Sequence, residues 1–379
     1  MLSRFDDYPI HQTPDPIAMP ASSDPDVYER YWFNGYSSDA SMYFGIGVAT
    51  YPHLGLSDAS ISIVLDGHQH SFHASARSSE EPSDMTVGPL HLAILEPMRS
   101  CSITLAENDT GWSGELTFEG RTANIHEPRH QWMNGTRRVM DTTRFAQLGR
   151  WSGWLEFEGQ RTEIDPGQVL GTKDRSWGLR PVGGGDTRAA PAAPGNDVGL
   201  FFLWAPLHFD DLGAHFQLFE DVHGRVVHNV GALMPAYESI EDLPGVEDPD
   251  TRHTRDLNHM LSFGTENRMV QGATLSMTTI DDGTTHEIAL EKVLTFRMKG
   301  IGYSHPEWGH GNWIDELALG SESWALDEID ETEWENQHVQ HLVKARMGDR
   351  EGIGVLEQII FGPYAPYGFT GFLDPLPGA

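Results

Sequence analysis

Two stretches concentrate side chains that could do chemistry. The first is Gln168-Val-Leu-Gly-Thr-Lys-Asp-Arg-Ser-Trp-Gly-Leu-Arg-Pro181. A solvent-facing strand would not carry Trp177, and an ordinary core strand would not carry Lys173, Asp174 and Arg175 together. A local conflict of this kind tends to mark a functional or tightly specified site. Asp174 could protonate an alkene if an apolar pocket disfavours its ionised form, and a directed water would complete a hydration. Trp177, with Trp204 further along, offers ring faces to the intermediate cation. Alternation along a strand opposes this reading, because Asp174 and Ser176 share one face while Arg175 and Trp177 share the other. Only a bulge would bring Asp174 and Trp177 together. The flanking cations also favour the carboxylate, the wrong form for a general acid. Asp174 is therefore either a proton donor or an ion-pair partner beside a Trp177 that plugs a barrel end.

The second stretch is His305-Pro-Glu-Trp-Gly-His310. Its spacing is not that of a helical His-Glu-x-x-His metal site, and Pro306 and Gly309 make it a loop. We expect no metal and no cofactor here. His305 and Glu307 are candidates for acid–base work in a pocket, with Trp308 against the substrate; the alternative is a structural aromatic loop. Cys101, the one cysteine, reads as a small buried hydrophobe rather than a nucleophile. Gly183-Gly-Gly185 is followed by no Gly-Lys-Ser/Thr, so it is no phosphate loop, although the segment through Pro194 could act as a lid. The chain has no Gly-x-Ser-x-Gly element and no dinucleotide fingerprint.

The elements that must position these residues are short strands. Ser60 to Leu65, Asp66-Gly67 and Gln69 to His73 read as a hairpin through an Asp-Gly turn. Trp112-Ser-Gly-Glu-Leu-Thr-Phe-Glu-Gly120 recurs as Trp151-Ser-Gly-Trp-Leu-Glu-Phe-Glu-Gly159, two strands of one meandering sheet. Gly199 to Leu207 is apolar enough for a fully buried strand. Val339 to Arg346 and Gly352 to Phe361 form a closing hairpin, followed by a packed aromatic tail. One notable helix is expected around Leu326 to Gln337. The rest alternates strand and turn, in keeping with 40 glycines and 23 prolines in 379 residues. Closed or nearly closed barrels are a natural way to remove the exposed edges.

The formal charge of −31 repels nucleic acid and anionic membrane. A single cysteine fits a reducing compartment. The N-terminal residues carry no signal-peptide pattern and no apolar run reaches spanning length, so we expect a soluble, cytoplasmic protein.

Tyr31-Trp-Phe-Asn-Gly35, the strand around Met42 to Val48, Trp151-Ser-Gly153 and Lys173-Asp-Arg-Ser-Trp-Gly178 together resemble the hydroxyneurosporene synthase (carotenoid hydratase) family and its AttH-like, lipocalin-related members. His126-Glu-Pro-Arg129 and Gly149-Arg-Trp-Ser-Gly153 are similar to a bacterial branch of that group. The resemblance implies two successive lipocalin-like antiparallel β-barrels with little helix and an apolar cavity within or between them. It also implies addition of water to isoprenoid double bonds or, as in fungal relatives, guidance of polyene cycloadditions. The motif here reads Asp-Arg-Ser-Trp, where the carotenoid enzymes tend to carry His or Asn in the middle, which argues against a carotenoid substrate.

The expectation is thus an all-β chain with an extended arm over residues 1–25 and barrels over 26–237 and 238–379. It would be a cofactor-independent hydratase or cyclase for a hydrophobic isoprenoid or polyketide-like molecule, with Asp174, Glu307 and His305 catalytic. Trp177, Trp204, Tyr36, Arg175 and Trp308 would contact substrate. The alternatives are a non-catalytic carrier of an apolar ligand and a pericyclase acting by shape.

Overall fold

A computed structural model describes residues 1–10, 14–182 and 199–376; the expected lid at 183–194 therefore lies outside the described residues. The chain is almost wholly β and divides into two compact units. The first comprises Met1–Gly185, Tyr237–Asp248 and Gly300–Leu326, and the second the remaining three segments. The expected division at 237/238 is a different one, because it would put residues 200–235 with the first unit. Backbone bonds explain the interleaving: Tyr237 N donates to Arg121 O (2.8 Å) and Asn124 N to Val246 O (3.0 Å).

The first unit begins with β1 (Val27–Ser37), β2 (Tyr43–Tyr51), β3 (Leu56–Leu65) and β4 (His68–Arg77). It continues with β5 (Thr86–Val87), β6 (Leu90–Glu96), β7 (Ser100–Leu105) and β8 (Trp112–Gly120). Then come β9 (Ile125–Asn134), the long β10 (Arg137–Phe157), β11 (Gln160–Ile164) and β12 (Val169–Leu179). The second unit holds β13 (Leu200–Phe209), β14 (Leu212–Glu220), β15 (Val226–Pro235), β16 (Arg252–Phe263), β17 (Val270–Thr279) and β18 (Thr285–Arg297). The chain returns to the first unit for β19 (Leu317–Ala325), then adds β20 (Val339–Met347) and β21 (Arg350–Phe361) to the second.

In the first unit, 13 strands form one curled sheet with β12 between β1 and β10 and with β19 on the edge strand β4. The Asp66-Gly67 turn forms as expected, both residues having positive φ (51° and 78°), as a tight primed turn requires. The two echoed sequences prove to be antiparallel neighbours: Trp112 lies opposite Phe157 and Trp151 opposite Phe118. Trp151 and Phe118 are fully buried with Phe33 and Phe44. Gly153 has φ 122°, and a Cβ there would sit 1.9 Å from Glu115 O. Gly153→Ala is therefore expected to lower stability by at least the ~1–3 kcal/mol of a strained backbone position, read as a shift in the urea midpoint.

The N-terminal residues are more than an extended arm. Arg4–Asp7 form a 3-10 turn, and the fully buried Asp7 receives Lys173 Nζ (2.8 and 3.0 Å) and Met98 N (2.6 Å). Tyr31 Oη donates to Asp7 O (2.7 Å).

The second unit is a closed eight-stranded barrel. Along β13, Phe201, Leu203, Ala205, Leu207 and Phe209 enter its core cluster, as the apolar run Gly199 to Leu207 foretold. The expected helix at 326–337 is absent; only 3-10 turns occur, at Leu326–Glu328 and Trp334–Asn336. Six acidic residues between Asp327 and Glu335 leave no apolar stripe. Asp330 Oδ1 also accepts from Thr332 N (2.8 Å) and Thr332 Oγ1 (2.6 Å), a local bond that competes with helix. The aromatic tail packs as expected, with Tyr364 and Phe369 buried. Arg268 lies over the Phe369 ring (4.1 Å). No described helix is long and apolar enough to cross a membrane.

Candidate active site

The conflict in Lys173-Asp-Arg175 resolves into three buried ion pairs. Register is unbroken from Leu170 to Leu179 against both neighbours, so no bulge merges the faces. Lys173 meets Asp7, and Arg175 binds Glu29 while lying over the rings of Tyr31 (4.4 Å) and Trp177 (5.4 Å). On the opposite face Asp174 Oδ2 lies 3.5 Å from Arg144 Nε. Burial works against the charge on Arg144, but the carboxylates of Asp174 and Glu127 outweigh it and raise its pKa above the ordinary value. A carboxylate held by a guanidinium is a poor starting point for a general acid. Asp174 thus takes the ion-pair place weighed in the sequence.

A cleft of about 810 Å³ in the first unit is lined by Tyr28, Glu29, Trp177, Gly178 and Asp141, with Ile17 from the N-terminal segment. Trp177 thus reaches a cleft, and Asp174 is not among its lining residues. Tyr36 is fully buried, stacked on Tyr43 (6.1 Å), and burial raises its pKa above the ordinary phenol value. Trp204 belongs to the second unit, where alternation turns it away from the barrel core. There it meets His215 edge-on (6.2 Å).

The face of β1 that carries Tyr28 also carries Arg30. Arg30 is 2% exposed, its guanidinium lies over the Tyr303 ring (4.5 Å), and Nη2 is 2.7 Å from His310 Nε2. Arginine can only donate, so His310 Nε2 accepts and its proton sits on Nδ1. That nitrogen faces Asp58 Oδ2 at 3.7 Å, and the same oxygen accepts Gly311 N–H (2.9 Å). Burial, then the Arg30 charge, push the His310 pKa down to about 3, so the imidazole is neutral at ordinary pH. Burial tends to raise the Asp58 pKa, but His310 and the Gly311 N–H outweigh it and hold it below the ordinary carboxyl value. Asp58, His310 and Tyr303 therefore fix Arg30. Its Nε and Nη1, and Tyr28 Oη, are buried with no hydrogen-bond partner among the described residues.

The His305 loop supplies a second cluster. His305 Nδ1 accepts N–H bonds from Glu307 (3.1 Å) and Trp308 (2.8 Å), so Nε2 carries the proton and donates it to Glu322 Oε2 (2.9 Å). His73 Nε2 is 3.7 Å from that oxygen, and Trp308 stacks on the His73 ring (5.3 Å). The hydrogen bond from His305 is the main reason the Glu322 pKa falls to about 2. A carboxyl depressed on folding stabilises the fold above its unfolded pKa near 4.5 and loses that contribution as pH falls towards 2. Glu322→Gln is expected to flatten the acid limb of a stability–pH curve in that window, measured by thermal melts. Glu307 itself is exposed, so its side chain is not the carboxylate of this cluster.

Donor atoms of His73, His305 and Glu322 all lie within 4.8 Å of one another. His305 nevertheless fits poorly as a metal ligand. Moving its proton to Nδ1 would set that N–H against two backbone N–H donors. The sequence reading found His305 and Trp308 but missed Arg30, His73 and Glu322. The signal for Arg30 was a single cation in an aromatic run, beside Glu29; Glu322 gave none.

Comparison with known proteins bears on fold. No curated protein matches the chain in sequence. An AttH-like protein of Nitrosomonas europaea superposes with a TM-score of 0.52 and 11% identity, covering 88% of this chain and 92% of that one. CghA gives a TM-score of 0.52 and 12% identity, with 89% of each chain covered. Kievitone hydratase from Nectria haematococca gives 0.49 and 12%, over 87% of this chain and 88% of that one. The lipocalin-like architecture expected from the sequence is thus shared with solved proteins. One family model matches residues 2–370, and the chain accordingly belongs to that family, described as a family of unknown function (DUF8625).

Proposed function

We propose that the protein is a cofactor-independent hydratase or cyclase for a hydrophobic, isoprenoid or polyketide-like small molecule whose reacting C=C bond is conjugated to a carbonyl. Arg30 carries the reading: a buried guanidinium, fixed by His310 and Tyr303, with two nitrogens, Nε and Nη1, uncommitted among the described residues. Such pre-organised donors stabilise charge that develops on oxygen during reaction. As water or a second alkene carbon bonds to the far end of the conjugated system, electron density moves onto the carbonyl oxygen, held by Arg30 and Tyr28. In hydration the proton given up by the attacking water then passes to the carbon beside the carbonyl; in cyclisation the other end of the attacking π system closes onto that carbon instead. This needs no neutral Asp174, which answers the difficulty its ion pair raises.

Two observations support a small molecule. The cleft lined by Tyr28 has a volume of about 810 Å³, within the range of small-molecule sites. CghA, which shares the fold, has been solved with the small molecule Sch210972. The test is Arg30→Met with an α,β-unsaturated ketone: binding and turnover should fall together while the thermal melt stays cooperative. A carrier would bind such ketones without converting them.

A further inference from the structure

Among the described residues, hydroxyl–histidine pairs that bridge adjacent strands directly through His Nδ1 recur. They include Ser60–His73 (3.0 Å), Ser323–His70 (2.7 Å), Thr86–His91 (2.9 Å) and Thr295–His341 (3.0 Å). Their recurrence marks the pairing itself as ordinary sheet structure. One of the four differs. Among the described residues, only His73 has a carboxylate at ion-pair distance from its other ring nitrogen, Glu322 at 3.7 Å; His341, by contrast, faces Gln358 Oε1.

That carboxylate acts on the tautomer through its charge alone, since His73 Nε2 makes no hydrogen bond at this distance. Its charge favours a proton on His73 Nε2, which leaves Nδ1 to accept from the Ser60 hydroxyl. His305 in turn holds Glu322 in place from its opposite side. Ser60, His73 and Glu322 then fill the roles of nucleophile, base and orienting acid. Gly47 lies opposite Ser60 on the neighbouring strand. A Cβ built on Gly47 would touch Arg30 Nη2, at 3.6 Å, so the Arg30 guanidinium lies over the strand beside Ser60. The positive charge of that guanidinium would favour an oxyanion formed near Ser60.

We propose that Ser60 is the nucleophile of an acyl-transfer site that cleaves small apolar carboxylic esters, an activity distinct from the hydration or cyclisation above. Ser60 Oγ bonds to the ester carbonyl carbon as its proton passes to His73 Nδ1, and the carbonyl electrons move onto the oxygen facing Arg30. Collapse breaks the bond to the alkoxide, which leaves as alcohol with the proton from His73. Water, deprotonated by His73, then attacks the acyl-Ser60 ester and releases the acid.

The test is intact-mass analysis of the full chain after incubation with a biotinylated fluorophosphonate. One adduct is expected, mapped to Ser60 and absent in Ser60→Ala. Glu322→Gln should label at least about tenfold more slowly, since the orienting acid sets the base's tautomer. Ser323→Ala, a purely cross-strand pair, should label like wild type. Ser60→Cys, which keeps the nucleophile, should instead be alkylated by iodoacetamide. Absence of an adduct in wild type, or its persistence in Ser60→Ala, overturns the proposal. So does stoichiometric Zn²⁺ binding in calorimetry that disappears in His73→Ala, which would make the cluster a metal centre. Loss of labelling in Ser60→Ala with ketone binding intact would separate this site from the function proposed above.

Discussion

Lys173→Met, with Asp7 left in place, is expected to destabilise the first unit by about 3–5 kcal/mol. Both side chains are 0% exposed, and Asp7 receives both of its Lys173 contacts within 3.0 Å. Removing the ammonium strands a buried carboxylate, whose one remaining side-chain bond comes from Met98 N (2.6 Å) among those described. The loss follows from the uncompensated charge and not from a high worth of the pair itself, because desolvation offsets most of the attraction between buried partners. The double variant Asp7→Leu/Lys173→Met should therefore recover most of the stability. Urea titration of the single and double variants gives both numbers. A single variant within about 0.5 kcal/mol of wild type would mean that the N-terminal segment is not seated in the sheet as described.

Arg30→Met is the second large effect, and it falls on activity. Deleting one pre-organised oxyanion donor typically costs about 10²–10³ in kcat. Here a single side chain brings both uncommitted nitrogens. Arg30→Lys should recover little, since a single ammonium cannot reproduce the planar fork that stacks on Tyr303 and meets His310. The pH profile should carry no step from His310, whose pKa of about 3 keeps it neutral across the working range. A His310-linked step between pH 5 and 8 would contradict the assigned tautomer.

The local parts of this architecture were legible in the sequence because they depend on near neighbours. Asp66-Gly67 announces its turn through residues that tolerate positive φ. The Trp112 and Trp151 echo marks two strands, although their pairing with each other emerges only from the register. What the sequence hid are partnerships across long separations. Asp7 and Lys173 are 166 residues apart, and no local pattern links them. The same holds for Glu322, which reaches the His305 loop only because β19 returns to pair with β4. Asp174 shows the cost of reading a motif without its partners. Three consecutive charges suggested a reactive site, and each turns out to have an ion-pair partner of its own. Alternation had already set Asp174 apart from Lys173 and Arg175, and that element of the sequence argument survives intact.

The central claim is that Arg30 polarises a carbonyl oxygen of a bound small molecule. The most direct measurement is the ¹³C chemical shift of carbonyl-labelled cyclohex-2-enone bound to the protein. The account predicts a downfield shift on binding to wild type that vanishes in Arg30→Met. An equal shift in both proteins, or binding with no shift in either, would contradict it.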